Sequence, residues 1–273
     1  MNFTGQRALV TGASSGIGAA FARELARRGA DLVLVARSQD KLTELAQELR
    51  ASFGVAADVA VADLAQPSAA VDLAAELSDR DLQIDILVNN AGFGLFALLQ
   101  DADRALLADM VRVNVAAPVE LTRLYLPGMI ERGRGAIINV ASTAAFQPVP
   151  YMAVYGATKA FVLSFTEALW AETRSTGVRV TTLCPGSTDT AFFDIAGEDA
   201  QVGRRMPVER VVNTALRALD RRASTTVTGA GNWLLTNAPR LAPRQFVARI
   251  VGITMRPAKP APTPPGRPIA VSR

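Results

Sequence analysis

The segment Leu9-Val10-Thr11-Gly12-Ala13-Ser14-Ser15-Gly16-Ile17-Gly18 decides how the rest of the chain is read. A short apolar run with strand character enters it and a helical pattern leaves it. Between them lie only small residues, which let backbone approach a ligand closely, and helix-terminal N–H groups placed there can hold a pyrophosphate. Glycine-rich turns before helices are common, so position gives this one its meaning. It is the first strand-to-helix turn of an alternating β/α chain, where dinucleotide-binding crevices form. Gly12-Ala13-Ser14-Ser15-Gly16 also matches the G-x-S-x-G elbow of serine hydrolases, which likewise joins strand to helix. A serine hydrolase needs a histidine base, and the chain contains no histidine. A P-loop is excluded because no lysine follows Gly18.

Working outward, short β-rich runs alternate with longer helical patterns through about residue 230. Strands are expected at 8–10, 31–36, 53–57, 84–88, 136–140, 178–183 and 225–228, and helices near 16–29, 38–51, 67–78, 101–131, 154–176 and 207–220. This predicts an α/β fold: a Rossmann-type doubly wound parallel sheet of about seven strands in a three-layer α/β/α single domain. Residues 1–231 form the expected dinucleotide-binding catalytic part. After Gly231 the alternation stops, and Pro239 and Pro243 interrupt the chain. From Arg244, a helix is expected with Phe246, Val247, Ile250, Val251 and Ile253 on one face and Arg244 and Arg249 off its centre. Residues 232–256 are thus a helical extension, and 257–273, rich in Pro, Ala and basic residues, are expected to stay extended.

Composition bounds the chemistry. The 273 residues are 49% apolar and 20% charged, a globular balance. No apolar run approaches the roughly 18 residues that would cross a bilayer. The N-terminus has no basic region followed by an apolar stretch, so a cytoplasmic location is expected. The single cysteine, Cys184, sits in the apolar run 180–184 and reads as a core thiol, with neither a disulfide nor a thiolate metal site available. Without histidine, protons must be moved by Tyr, Lys, Asp or Glu. The net charge of +4 hides an asymmetry: nine Lys or Arg and no Asp or Glu follow Asp220. The basic character belongs to the tail, and no nucleic-acid motif accompanies it.

At the end of the second strand an acid would bind the ribose 2′-hydroxyl of NAD, whereas arginine accommodates a 2′-phosphate. The residue there is Arg37, with Ser15 on the neighbouring loop, which favours NADP(H) over NAD(H).

Thr11-Gly12-x-x-x-Gly16-x-Gly18, Asn89-Asn90-Ala91-Gly92, Asn114, Ser142, Tyr155-x-x-x-Lys159 and Pro185-Gly186 resemble, in order and spacing, the short-chain dehydrogenase/reductase family over about residues 5–230. Tyr155 and Lys159, at i and i+4, share a helical face, so an ammonium beside the phenol is expected to draw its pKa toward working pH. The resemblance implies an oxidoreductase interconverting a carbonyl and a secondary alcohol, with Tyr155 as general acid/base. It also implies that Lys159 holds the nicotinamide ribose, Ser142 hydrogen-bonds the substrate oxygen and Asn114 anchors a relay water. For the cofactor it implies contacts from Gly12, Ser14, Ser15, Gly16, Ile17 and Gly18 to the pyrophosphate. Asp63 and Leu64, with Asp58-Val59 as a rival pair, are carried onto the adenine, and Asn90, Ala91 and Gly92 onto the adenosine ribose. Pro185, Gly186 and Thr188 are carried onto the carboxamide, with no metal. The expected substrate walls are Phe93, Gly94, Leu95 and Phe96, the stretch 143–151 including Tyr151, and the loop 187–205 with Phe192 and Phe193. They are mostly apolar, matching a small apolar carbonyl or hydroxy substrate. A homodimer or homotetramer through the two long helices is implied by resemblance. The extension is open to two readings, a lid over the pocket or contact with an anionic membrane surface. The rival function is a non-catalytic NADP-binding regulatory or scaffold protein, against which the intact Ser142-Tyr155-Lys159 set speaks.

Overall fold

The structure is a computed structural model that describes residues 1–190, 192, 196, 197, 203 and 205–256. Seven strands form one sheet: β1 (Arg7–Thr11), β2 (Asp31–Ala36), β3 (Ala57–Val61), β4 (Ile86–Asn89), β5 (Gly135–Val140), β6 (Val178–Cys184) and β7 (Thr225–Val227). All pair in parallel, in the order β3-β2-β1-β4-β5-β6-β7. Helices α1 (Gly16–Arg27), α2 (Gln39–Phe53) and α7 (Val208–Asp220) cover one face. Helices α3 (Ala69–Asp79), α5 (Ala117–Glu131) and α6 (Ala153–Glu172) cover the other. This is the expected Rossmann-type three-layer α/β/α sheet.

The strands read as continuous apolar runs because both faces are covered. In β2, Leu32 and Leu34 pack with Phe21, Leu25 and Leu42 on one side, while Val33 and Val35 pack with Leu73 and Leu77 on the other. Each such fully buried side chain contributes about 2 kcal/mol relative to exposure. Strand order reverses between β1 and β4, whose following helices leave to opposite faces of the sheet, and a crevice opens beyond the carboxyl ends of the strands.

Two local expectations are corrected. The third strand is Ala57–Val61 and not 53–57, because α2 runs on to Phe53 and ends at Gly54, whose φ of 68° makes it a left-handed helix cap. The long helix expected at 101–131 is broken. Asp103 caps α4 (Arg104–Val111), its carboxylate accepting from the N–H groups of Ala105 and Leu106 at 2.8 and 3.0 Å. A π-helical turn, Arg112–Ala116, follows before α5 begins with Pro118 in its first turn. The helix expected from Arg244 is present as α9 (Arg244–Thr254), and its apolar face is covered only in part: Val247 is buried, whereas Phe246, Ile250 and Ile253 are exposed. Before it come α8 (Ala230–Asn237), which crosses the boundary expected at 231, and the 3-10 turn Ala238–Leu241. The tail 257–273 lies outside the described residues.

One polar seam crosses the α5/α6 side of the sheet. Asn89 and Asn139 are register partners on β4 and β5, and the Asn89 amide donates to Asn139 Oδ1 at 2.9 Å and to Thr122 Oγ1 at 3.2 Å. Asn139 in turn donates to Thr166 Oγ1 on α6 at 2.9 Å. These bonds fix both helices against the strands that carry the site. Asn139→Ala, which removes a partner from both Asn89 and Thr166 at a fully buried position, is expected to lower unfolding free energy by about 2 kcal/mol. Urea denaturation checks this, and an unchanged midpoint would mean the seam contributes nothing.

Candidate active site

The crevice is a cleft of about 710 Å³ across the carboxyl ends of the strands. Its first wall is the glycine turn. Gly12 and Gly16 have φ of 66° and 52°, the left-handed region that favours glycine. A Cβ on Gly12 would stand 2.8 Å from Asn90 Nδ2, and one on Gly18 would run into the Gly12 carbonyl. Gly18 is therefore behind the cleft, packing helix against turn, while Gly12, Ser14, Ser15, Gly16 and Ile17 line it. Ser15 starts α1 in extended conformation without a side-chain cap, which leaves the first-turn N–H groups without that partner. Thr11 Oγ1 ties this turn to the next strand, donating to Val88 O at 3.3 Å and accepting from the N–H groups of Asn90 and Ala91 at 3.0 Å each.

Arg37 lies just past β2, exposed and lining the cleft, with no hydrogen bond or ion pair to another described residue. Ser38 beside it starts α2, again without a side-chain cap. Of the two acid-apolar pairs, Asp63-Leu64 lines the cleft, and Asp63 accepts from Ala65 N at 3.1 Å. Asp58 is on β3 and pairs with Arg80 at 2.7 Å. Asn90, Ala91, Gly92, Pro185, Gly186 and Thr188 also line the cleft.

At the far end stand Ser142, Tyr155 and Lys159. Ser142 follows β5 and its Oγ accepts from Ala144 N at 3.1 Å. Tyr155, in the first turn of α6, lines the cleft with Ser142, whose side chain favours the ionised form of the phenol. Lys159 lies one turn on, its Nζ 5.9 Å from the Tyr155 ring centroid and donating to Val140 O at 2.8 Å. Both side chains are buried, at 9% and 5% exposure. Burial governs both titrations. It pushes the Tyr155 hydroxyl up to about 12 against the opposing influence of Ser142, and pulls Lys159 down to about 8. The expectation that Lys159 draws the phenol toward working pH is not met by the protein groups alone, because desolvation of the phenol outweighs them. The Cys184 thiol is likewise pushed up to about 12 by burial, so it is no nucleophile at neutral pH.

Asn114 does not line the cleft. It sits in the π-helical turn, 1% exposed, with its amide donating to Phe93 O and Thr158 Oγ1 at 3.0 Å each and its carbonyl accepting from Phe93 N at 3.1 Å. Thr158 passes the connection on, donating to the Tyr155 carbonyl at 2.7 Å. Gly92 fits between: a Cβ there would be 2.9 Å from Asn114 Oδ1 and 3.2 Å from Lys159 Nζ.

The arrangement pairs a neutral hydroxyl donor with a buried ammonium, beside a backbone cradle suited to an anion. A family model described as short chain dehydrogenase matches residues 6–201. The chain belongs to the short-chain dehydrogenase family. An uncharacterized oxidoreductase of Staphylococcus epidermidis is 36% identical over 220 residues, covering 81% of this chain and 93% of the relative. A very-long-chain 3-oxoacyl-CoA reductase of Anas platyrhynchos is 40% identical over 198 residues, 70% of this chain and 62% of the relative. The solved short-chain dehydrogenase from Sphingobium yanoikuyae in complex with NADPH superposes with a TM-score of 0.78 at 35% identity, covering 94% of this chain and 98% of that one. As a short-chain dehydrogenase the chain is an oxidoreductase acting between CH–OH and carbonyl groups with NAD(P).

The apolar end of this short-chain dehydrogenase differs from expectation in its walls. Phe93 lines the cleft, but Leu95 and Phe96 pack beneath it, and Tyr151, at φ 65°, stacks on Phe96 at 5.5 Å and does not line it. Phe192 lines the cleft and packs against the Tyr155 ring at 5.4 Å, while Phe193 lies outside the described residues. Sequence reasoning missed Leu106, Asp109 and Val113 from the α4 side, and Asn232, Leu235, Thr236 and Met255 from the extension. Asn232 fits only because residue 186 is glycine, since a Cβ there would collide with the Asn232 amide. The Asp103 cap was a readable signal for the α4 wall; no local spacing announces Asn232 or Met255.

Proposed function

We propose that the chain is an NADP(H)-dependent oxidoreductase that interconverts an apolar carbonyl compound and its secondary alcohol, with Tyr155 as the general acid/base. The observation that carries this is Tyr155 itself: a buried tyrosine that shares the cleft wall with Ser142, one helical turn from a buried Lys159. The glycine turn and the uncapped start of α1 suit a pyrophosphate held by Gly12, Ser14, Ser15, Gly16 and Ile17, with Gly18 keeping the turn tight. Arg37, with Ser38 beside it, would take the 2′-phosphate. Asp63 and Leu64 would meet the adenine, and Asn90, Ala91 and Gly92 the adjoining ribose. Pro185, Gly186 and Thr188 would meet the carboxamide and Lys159 the nicotinamide ribose.

When bound, the nicotinamide exchanges hydride with the carbonyl carbon. Ser142 holds the substrate oxygen, and Tyr155, neutral well past physiological pH, supplies the proton to it. With Lys159 at about 8, its ammonium form predominates at neutral pH and stands ready to stabilise the phenolate left behind. Asn114, fixed by Phe93 and Thr158, holds α6 in place beside the cleft and would anchor the relay water. An apolar substrate is supported by Phe93, Val149, Met152 and Phe192 at this end, and by a relative named for long-chain acyl chemistry. The same α6 exposes Phe161, which lines a shallow apolar face with Val111, Val115, Val154 and Ala157. We assign this face to a second copy in a homodimer or homotetramer, and light scattering of a purely monomeric chain at micromolar concentration would refute it.

A panel of ketones followed by NADPH absorbance tests the activity. Tyr155→Phe is expected to keep NADPH binding by fluorescence titration while lowering kcat at least about a hundredfold, the usual scale for a lost general acid. Turnover at wild-type rate in that variant rules out the assignment. Arg37→Asp is expected to shift kcat/KM from NADPH toward NADH by about tenfold or more, as removing a charged hydrogen bond to phosphate does. Unaltered selectivity defeats the role given to Arg37.

A further inference from the structure

The two helices after β7 turn an apolar side outward that no described residue covers. On α8, Trp233 and Leu234 are 59% and 64% exposed, and in the turn that follows Leu241 is 92% exposed. On α9, Phe246, Ile250 and Ile253 are 58%, 45% and 71% exposed. Single exposed apolar residues are ordinary, but seven within twenty-one residues of one chain segment, Leu235 at the cleft edge among them, are not. The geometry of α9 makes the point sharper. At 100° per residue Val247 and Val251 share one side, and Phe246, Ile250 and Ile253 share an adjoining one about 110° round the helix. The first side faces the protein: Val247 is buried, a Cβ on Gly252 would meet Pro150 at 3.4 Å, and Met255 joins the cluster of Met110, Met152 and Tyr155. An apolar helix anchored on one side and bare on the other has half of its burial missing.

Charge says what covers it. Arg240, Arg244, Arg249 and Arg256 are all exposed in the same segment, and no acid occurs anywhere from Arg221 to the C-terminus. Pairing of this patch with itself in a second copy would set arginine against arginine with no carboxylate between them. An anionic phospholipid surface satisfies both components: acyl-chain boundary for Phe246, Ile250, Ile253 and Leu241, head-group level for Trp233, and phosphate for the guanidinium groups. No helix among the described residues is long and apolar enough to cross a membrane, so the contact is with the surface.

We propose that α8, the turn Ala238–Leu241 and α9 seat the enzyme on an anionic phospholipid bilayer. The same helices supply Leu235, Thr236 and Met255 to the cleft wall, so the seat lies beside the apolar end of the cleft. An apolar substrate dissolved in the bilayer then enters without crossing bulk water; that consequence rests on the function proposed above, whereas the docking does not.

The test is co-sedimentation of the full chain with phosphatidylcholine vesicles containing phosphatidylserine, and with pure phosphatidylcholine vesicles. Binding is expected to the first and weakly, if at all, to the second. Arg244→Gln with Arg249→Gln is expected to lower the partition coefficient about 25-fold at low salt, about fivefold for each basic residue near an anionic surface. Leu241→Glu, Phe246→Glu and Ile253→Glu together are expected to abolish it. Both variants are expected to keep wild-type turnover of a water-soluble ketone without vesicles, since none of these side chains lines the cleft. The proposal is overturned if the wild-type chain stays in the supernatant or if the triple variant sediments like wild type. It is also overturned if the triple variant changes only the oligomeric mass, which would name a second copy as the occupant. Failure to reduce any carbonyl would overturn the proposed reaction and leave the sedimentation result standing.

Discussion

The structure depends on how closely β1 and β4 end together. Thr11 Oγ1 bridges them, bonded at once to Val88 O and to the N–H groups of Asn90 and Ala91. The Asn90 amide returns the tie by donating to Thr11 O at 2.9 Å. With the two strand ends clamped, the turn after β1 has room only for glycine at 12 and 18. Every other wall of the cleft is placed relative to that clamp, because sheet order fans outward from it in both directions.

Much of this was legible in the chain. The alternation of apolar runs and helical patterns gave the sheet, since a strand buried on both faces needs no polar alternation. The errors came where a single residue changed role. Gly54 belongs to a helix end and not to a strand, and Asp103 starts a helix inside what looked like a longer one. The site was readable where chemistry is tied to fixed spacing, as for Tyr155 and Lys159 on one helical face. It was not readable where the wall is built by distant packing. Met255 packs against the cluster that holds Met110, Met152 and Tyr155, and no local pattern encodes such packing. The titration of Tyr155 was misjudged for a related reason: sequence shows a neighbour's charge but not how dry the pair will be.

Dryness has two effects at this site. It holds Tyr155 as a neutral acid and makes the Lys159 ammonium less comfortable, so each gains from a partner that returns charge or hydrogen bonds to the pocket. Lys159 already spends one N–H on Val140 O, which leaves its ammonium two further donors. Asn114 and Thr158 hold α6 in register beneath them, which keeps the two side chains from relaxing toward water.

The fit of Asn232 against Gly186, and of Met255 into the cluster around Tyr155, also orders events during synthesis. Domains form as the chain emerges, and most of the sheet is available long before residues 232–255 appear. The pocket nevertheless stays open on one side until those late residues arrive. A nascent chain therefore holds its strands and its tyrosine before residues 232–255 have emerged to complete the cleft wall.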